Sequence, residues 1–214
     1  MKKIFFAFLI FASIFSASAM SDFSNKNFCF GISFPTVKND YKFDSYDSMR
    51  LNAVGLNFNY RNMNDYMKIG IFLNTDIYMP YSKVIVLDEK HQTTTNYSDY
   101  KYFFGTDILA GIYTVLYRDE TFNIPVGAGF HLDGFISKQK NNDEIIKESV
   151  YTVGVGAWFN IEVNFSRNMG IYAGSKIGYD FYYKMNSKSW SSVIQDGSCN
   201  GFTIIPALGL LWHL

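Results

Sequence analysis

Eight side chains able to hold charge or pass protons, Lys68, Asp76, Asp107, His131, Asp133, Glu162, Lys176 and Asp180, each stand next to an apolar residue. Carboxylates placed beside an imidazole or an ammonium are the ingredients of general acid–base chemistry and of ion conduction. His131 and Asp133, two residues apart, would share one strand face, where a carboxylate can orient an imidazole. The same residues also suit an internal salt-bridge and hydrogen-bond network, because buried charges must be paired. No serine or cysteine nucleophile is placed beside His131, and metal-ligand clusters, phosphate loops and nucleotide fingerprints are missing. The set therefore predicts a non-enzymatic network without metal or cofactor, with Lys68 and Lys176 as hubs for the carboxylates.

What must position these residues is a series of strands. From Phe28 onward apolar residues recur at every second position, the period of a strand whose two faces meet different surroundings. In the first segment Phe28, Phe30, Ile32 and Phe34 oppose Cys29, Gly31 and Ser33. The second sets Val54, Leu56, Phe58 and Tyr60 against Gly55, Asn57 and Asn59, and the third sets Ile69, Ile71, Leu73, Ile77 and Met79 against Lys68, Asn74, Asp76 and Tyr78. The fourth has Phe104, Ile108 and Ile112 over Asp107 and Tyr113, with Leu109 and Val115 falling on the polar side. Phe130 and Leu132 over His131 and Asp133 mark the fifth; Val155, Phe159 and Ile161 over Trp158, Asn160 and Glu162 mark the sixth. In the seventh, Ile177, Tyr179, Phe181 and Tyr183 oppose Lys176, Asp180 and Tyr182; in the eighth, Phe202, Ile204, Pro206, Leu208, Leu210 and Trp212 oppose Thr203 and Gly209. No apolar face carries a charge, and all eight candidate residues lie on the opposite faces.

Those opposite faces are rich in Gly and Asn, which make a poor water-facing surface and suit a narrow interior. An eight-stranded barrel leaves an interior just wide enough for side chains, so bulky rings must point outward. An apolar outer band flanked by aromatic girdles around a polar interior is the pattern of a membrane barrel. It gives the 21 Phe and 16 Tyr a place against lipid instead of in a core. Strand ends place Tyr60, Tyr66, Tyr117, Phe122, Phe165 and Trp212 in one girdle and Phe34, Tyr78, Tyr81, Tyr102, Tyr151 and Tyr183 in the other. Connections alternate in length: short at 61–65, 118–120 and 166–169, long at 36–48, 81–99, 138–148 and 184–200. Such sorting is expected when short turns face the periplasm and long loops the outside.

In this pattern the chain resembles the small eight-stranded outer-membrane barrel proteins of double-membraned bacteria, of the outer membrane protein A and X or opacity-protein kind. The resemblance covers residues 20–214. It implies an all-β, eight-stranded antiparallel up-and-down transmembrane β-barrel in the bacterial outer membrane, present as a monomer. Its implied partners are outer-membrane lipid and, during insertion, the barrel-assembly machinery, which reads a last strand similar to LGLLWHL, here ending in Leu214 where an aromatic residue is usual. A host or environmental ligand would meet the long loops. Barrel deacylases of lipid A are expected to carry His-x-Ser on an outward face, whereas His131-Leu132-Asp133 faces inward. The expected role is structural or surface interaction around a plugged polar lumen. The alternatives are a narrow cation-preferring pore and a soluble periplasmic lipocalin-like lipid-binding barrel.

The remaining features set the compartment. Lys2 and Lys3, the run IFFAFLIFASIF and a small-residue site at Ala17-Ser18-Ala19 read as a signal peptide over residues 1–19. With 19 basic and 19 acidic residues the chain lacks the positive footprint of a nucleic-acid binder. Cys29 and Cys199 would sit at opposite ends of the barrel, too far apart for a disulfide, and are expected as free thiols.

Overall fold

The computed structural model describes residues 25–41, 47–64, 68–87, 92–141, 144–188 and 192–214; the expected signal segment 1–19 and the girdle candidate Tyr66 lie outside them. The described chain is nearly all strand: β1 (Asn25–Ser33), β2 (Thr36–Tyr41), β3 (Asp47–Asn64), β4 (Ile69–Leu87), β5 (Gln92–Asn96), β6 (Tyr100–Arg118), β7 (Phe122–Asn141), β8 (Glu144–Asn164), β9 (Met169–Lys188) and β10 (Ser192–His213). Every pairing is antiparallel, and β1 closes the sheet on β10 from Asn27↔His213 to Ser33↔Ala207. β1 and β2 each pair with both β3 and β10, so they are two lengths of one wall strand. β5 pairs only with the far end of β4, as an arm outside the ring. Counted as walls, this is the eight-stranded up-and-down barrel that the alternation predicts.

Two prolines share the seam. Phe34 N–H donates to the Pro206 carbonyl at 2.9 Å and Ala53 N–H to the Pro35 carbonyl at 2.8 Å, so the ladder skips where two residues lack an N–H and resumes at Thr36↔Ile204. Placing Pro206 beside Pro35 costs the closed ladder one interruption instead of two.

Around its middle the barrel presents Ile32, Leu56, Ile77, Ile112, Phe130, Val155, Ile177 and Leu208 outward, with Ile112 and Phe130 62% and 74% exposed. Nothing but lipid can make such a surface stable, which removes the soluble barrel. Toward the long-connection end the pattern inverts. There Val37, Tyr41, Met49, Leu51, Val84, Phe103, Phe135, Val150 and Tyr183 point inward as one apolar cluster, while Thr36, Lys38, Arg50 and Asn52 face out. Strands therefore run on through most of the expected long loops. Once the outside is water again, apolar residues belong inside.

Two girdle assignments are corrected by this. Tyr78 lies inside at 1% exposure, and so does Tyr183 at 0%. On β9 a one-residue register shift, Val153↔Tyr182 followed by Gly154↔Asp180, leaves Phe181 as an extra residue and turns Tyr182 out and Tyr183 in. Tyr81 and Tyr151 do face outward. Replacing outward Ile112 by Arg is expected to cost about 2–4 kcal/mol, as for a charge near a bilayer midplane. The same change at Thr36, above the apolar band, should cost close to nothing; urea unfolding of the barrel in lipid vesicles compares the two.

Candidate functional site

The interior is built on one hydrogen-bonded row. Cross-strand register places Asn57 opposite Asp76, Asp76 opposite Asp107, Asp107 opposite Asp133, and Asp133 opposite Thr152. Three carboxylates on adjacent inward positions repel one another unless cations or donors reach them. Lys176, from β9 across the lumen, supplies the first: its Nζ lies 2.6 Å from Asp76 Oδ2 and also contacts Asp107 Oδ1. His131 supplies the second, with Nε2 2.7 Å from Asp107 Oδ2 and Nδ1 2.8 Å from Asp180 Oδ1. Ionised carboxylates at both nitrogens are satisfied by imidazolium, which has two N–H donors. Tyr78 donates its hydroxyl to Asp133 Oδ1 at 2.7 Å, and Thr152 donates to Asp180 Oδ2 at 2.7 Å.

Small residues make these reaches possible. His131 and Asp180 sit two strands apart with Gly154 between them in register, and a Cβ at Gly178 would collide with the imidazole ring. Asn57 carries the network downward, donating to Asn74 Oδ1 at 2.8 Å and Asp76 Oδ1 at 3.0 Å while its own carbonyl oxygen accepts from Tyr172 at 2.8 Å.

A second ionic layer lies toward the short-turn end. Arg61 Nη2 is 2.5 Å from Glu162 Oε1, and both side chains are almost fully buried. The guanidinium also stands 5.5 Å from the Trp158 ring centre and 5.8 Å from that of Tyr113, within range of cation–π attraction. Met63, Phe72, Leu109, Tyr113 and Trp158 pack around it. Leu109 therefore occupies the polar side that the alternation assigns to it, filling space between the two ionic layers. Cys29 and Cys199 are both buried and free; Cys29 Sγ accepts from Arg61 Nη2 at 3.6 Å.

No family model and no curated protein matches the chain. Solved structures do. The outer membrane protein OprG from Pseudomonas aeruginosa aligns with a TM-score of 0.59 at 9% identity, over 89% of this chain and 96% of that one. The outer membrane protein AlkL, solved in lipid bilayers, aligns with 0.57 at 11% identity over 89% and 90%. Neisserial surface protein A aligns with 0.52 at 11% identity over 86% and 96%. The chain has the fold of an outer-membrane β-barrel. With its outward apolar band, that fold puts it in the bacterial outer membrane.

Of the eight residues singled out by alternation, the barrel gathers six, Asp76, Asp107, His131, Asp133, Lys176 and Asp180, into one connected cluster, and Glu162 into the Arg61 layer. Lys68 is a correction. It is exposed in the turn before β4, with a positive φ of 52°, and its backbone is what is used: its N–H donates to the Asn64 carbonyl at 3.0 Å and its carbonyl accepts from Thr114 Oγ1 at 2.9 Å. A tight turn closes there, so the strand period does not govern its side chain. Arg61 takes its place as the second hub. The sequence assigns Arg61 to the short connection, but β3 continues to Asn64, and the inward face of Asn57 and Asn59 extends to Arg61. Counting two positions on from Asn59 would have found it.

Lys176→Met leaves Asp76 and Asp107 without their ammonium in a dry interior and is expected to cost about 3–5 kcal/mol. Adding Asp76→Asn and Asp107→Asn to it should recover part of that loss in the same vesicle unfolding assay. Gly178→Ala should destabilise by roughly 1–3 kcal/mol through displacement of His131, and pairing it with His131→Ala should remove most of that cost.

Proposed function

We propose that the protein is a plugged outer-membrane barrel whose role is structural or surface interaction through its long-connection end, held outward, and not passage through its lumen. The observation that carries this reading is the filling of the interior at three successive levels. The Arg61–Glu162 layer with its rings, the Lys176–His131 cluster and the apolar cluster around Phe103 and Tyr183 each span the lumen. An eight-stranded wall leaves little room beyond such side chains. Catalysis at His131 is disfavoured by the same geometry, because both ring nitrogens are held by carboxylates and the ring is fully buried. The outward orientation rests on the sorting of connections, and a rigid wall that extends beyond lipid presents loops where recognition is commonly carried.

Purified barrel in planar bilayers is expected to give no discrete conductance steps at physiological salt. Stable steps in the folded protein would sink the plug and favour the narrow pore. Protease added to intact cells should cut within residues 81–99; cleavage only after the outer membrane is opened would reverse the orientation.

A further inference from the structure

Every hydrogen of the two cations in the central cluster is already engaged. The Lys176 ammonium has three, and they meet Asp76 Oδ2 at 2.6 Å, Asp107 Oδ1, and the Asp107 backbone carbonyl at 3.5 Å. The His131 imidazolium has two, taken by Asp107 and Asp180. Asp76, Asp107 and Asp180 therefore each touch a cation. Asp133 does not: among the described residues no ammonium, guanidinium or imidazole nitrogen lies within 4 Å of its carboxylate. The hydroxyl hydrogen of Tyr78 goes to Asp133 Oδ1 and that of Thr152 to Asp180 Oδ2, each at 2.7 Å, which leaves Asp133 Oδ2 buried with no donor.

The surroundings give this carboxyl no counter-charge. Asp133 stands in register with Asp107, and Leu132 and Ile136 near it on β7 face lipid, so it lies at hydrocarbon depth. Like charges at facing positions destabilise an antiparallel pair, and a lone carboxylate in a dry interior neutralises instead of staying ionised. Of the other walls, β2 brings Tyr41 near and β10 brings Cys199, both uncharged, and β3 brings Asn57, engaged with Asn74 and Asp76. Arg61 and Glu162 neutralise each other a level below, and Glu148 lies four positions above Thr152 on β8. A metal ion would need several converging oxygens, and among the described residues no three His, Cys, Asp or Glu side chains converge in that way. A proton needs one.

We propose that Asp133 holds a proton in the folded barrel and stands as a neutral carboxylic acid in the lumen, while Asp76, Asp107 and Asp180 are ionised. The bound proton lets Asp107 and Asp133 face each other on β6 and β7 without repulsion. Its loss would set two like charges side by side and loosen that pairing. The inference rests on the plugged reading above for the exclusion of bulk water from Asp133.

The test compares infrared spectra of the full-length barrel and of Asp133→Asn, each verified as folded by heat-modifiable gel mobility, in lipid vesicles at neutral pH. The carbonyl stretch of a protonated carboxylic acid is separate from that of a carboxylate. The unmodified protein is expected to show this acid band, shifted in heavy water, and Asp133→Asn to lack it. Unfolding rates in urea supply a second readout. Asn keeps an oxygen for Tyr78 and carries no charge, so Asp133→Asn should unfold within about twofold of the unmodified rate. Asp107→Asn, which takes a carboxylate from both Lys176 and His131, should unfold at least about tenfold faster. Rates should be equal in sodium, potassium and choline chloride. The proposal is overturned by absence of the acid band, by its persistence in Asp133→Asn, or by Asp133→Asn failing to fold or unfolding as fast as Asp107→Asn. Rates that follow the identity of the salt cation, which would mark a metal ion in place of the proton, overturn it too. Conductance judges the plug separately: discrete steps from a protein that still shows the acid band would remove the plug and keep the proton.

Discussion

Pairing of β1 with β10 is the contact on which the rest of the barrel depends. In hydrocarbon no water is available to an unpaired N–H or C=O, so a sheet can cross only if it has no edge. Closure with this number of walls then sets the diameter, and the diameter decides what each face can carry. Phe, Ile and Leu go outward because the lumen cannot hold them in number. The lumen takes Gly, Asn and a limited set of charged side chains that must neutralise one another at short range. Pro35 and Pro206 show how closure constrains sequence: at the seam, two of the residues that cannot donate to the ladder are placed at neighbouring positions.

Within that narrow tube Asp76, Asp107 and Asp133 line up on adjacent strands; Lys176 reaches Asp76 and Asp107 across the lumen, and His131 links Asp107 to Asp180 along the wall. Lys176 therefore acts as a crosslink across the lumen and His131 as one between neighbouring walls, and both are counter-charges as well. Arg61 and Glu162 repeat the device nearer the short turns, with the rings of Trp158 and Tyr113 within cation–π range of the guanidinium. Buried ion pairs add little to stability over an apolar filling, but they penalise any register in which one partner is lost. In a barrel whose walls could slip, such a penalty specifies the pairing of β4, β6, β7, β8 and β9.

Along its axis the molecule answers to two solvents. Where lipid surrounds it, apolar side chains point out and charges in; where water does, Val37, Leu51 and Phe135 point in and Lys38 and Arg50 point out. Apart from the gap at Phe34 and Pro35 between β1 and β2, the exchange takes place without a break in the strands.

The sequence by itself determined the wall. Its period of two states which residues share a face, and the absence of charge from one face states which solvent that face meets; from these followed the strand number, the membrane and the inward placement of Asp76, Asp107, His131, Asp133, Glu162, Lys176 and Asp180. Strand ends were less legible. Arg61 and Lys68 exchanged roles because a period does not say where a turn closes, and β2 was hidden in an expected loop because its polar outward face imitates one. Tyr183 was misplaced by a bulge, which adds one residue without any mark in composition. Only the tertiary structure decided which cation meets which carboxylate. Period two gives each side chain a face but no partner, since partners are set by the register between strands and by reach across the lumen, distances that exist only once the barrel has closed.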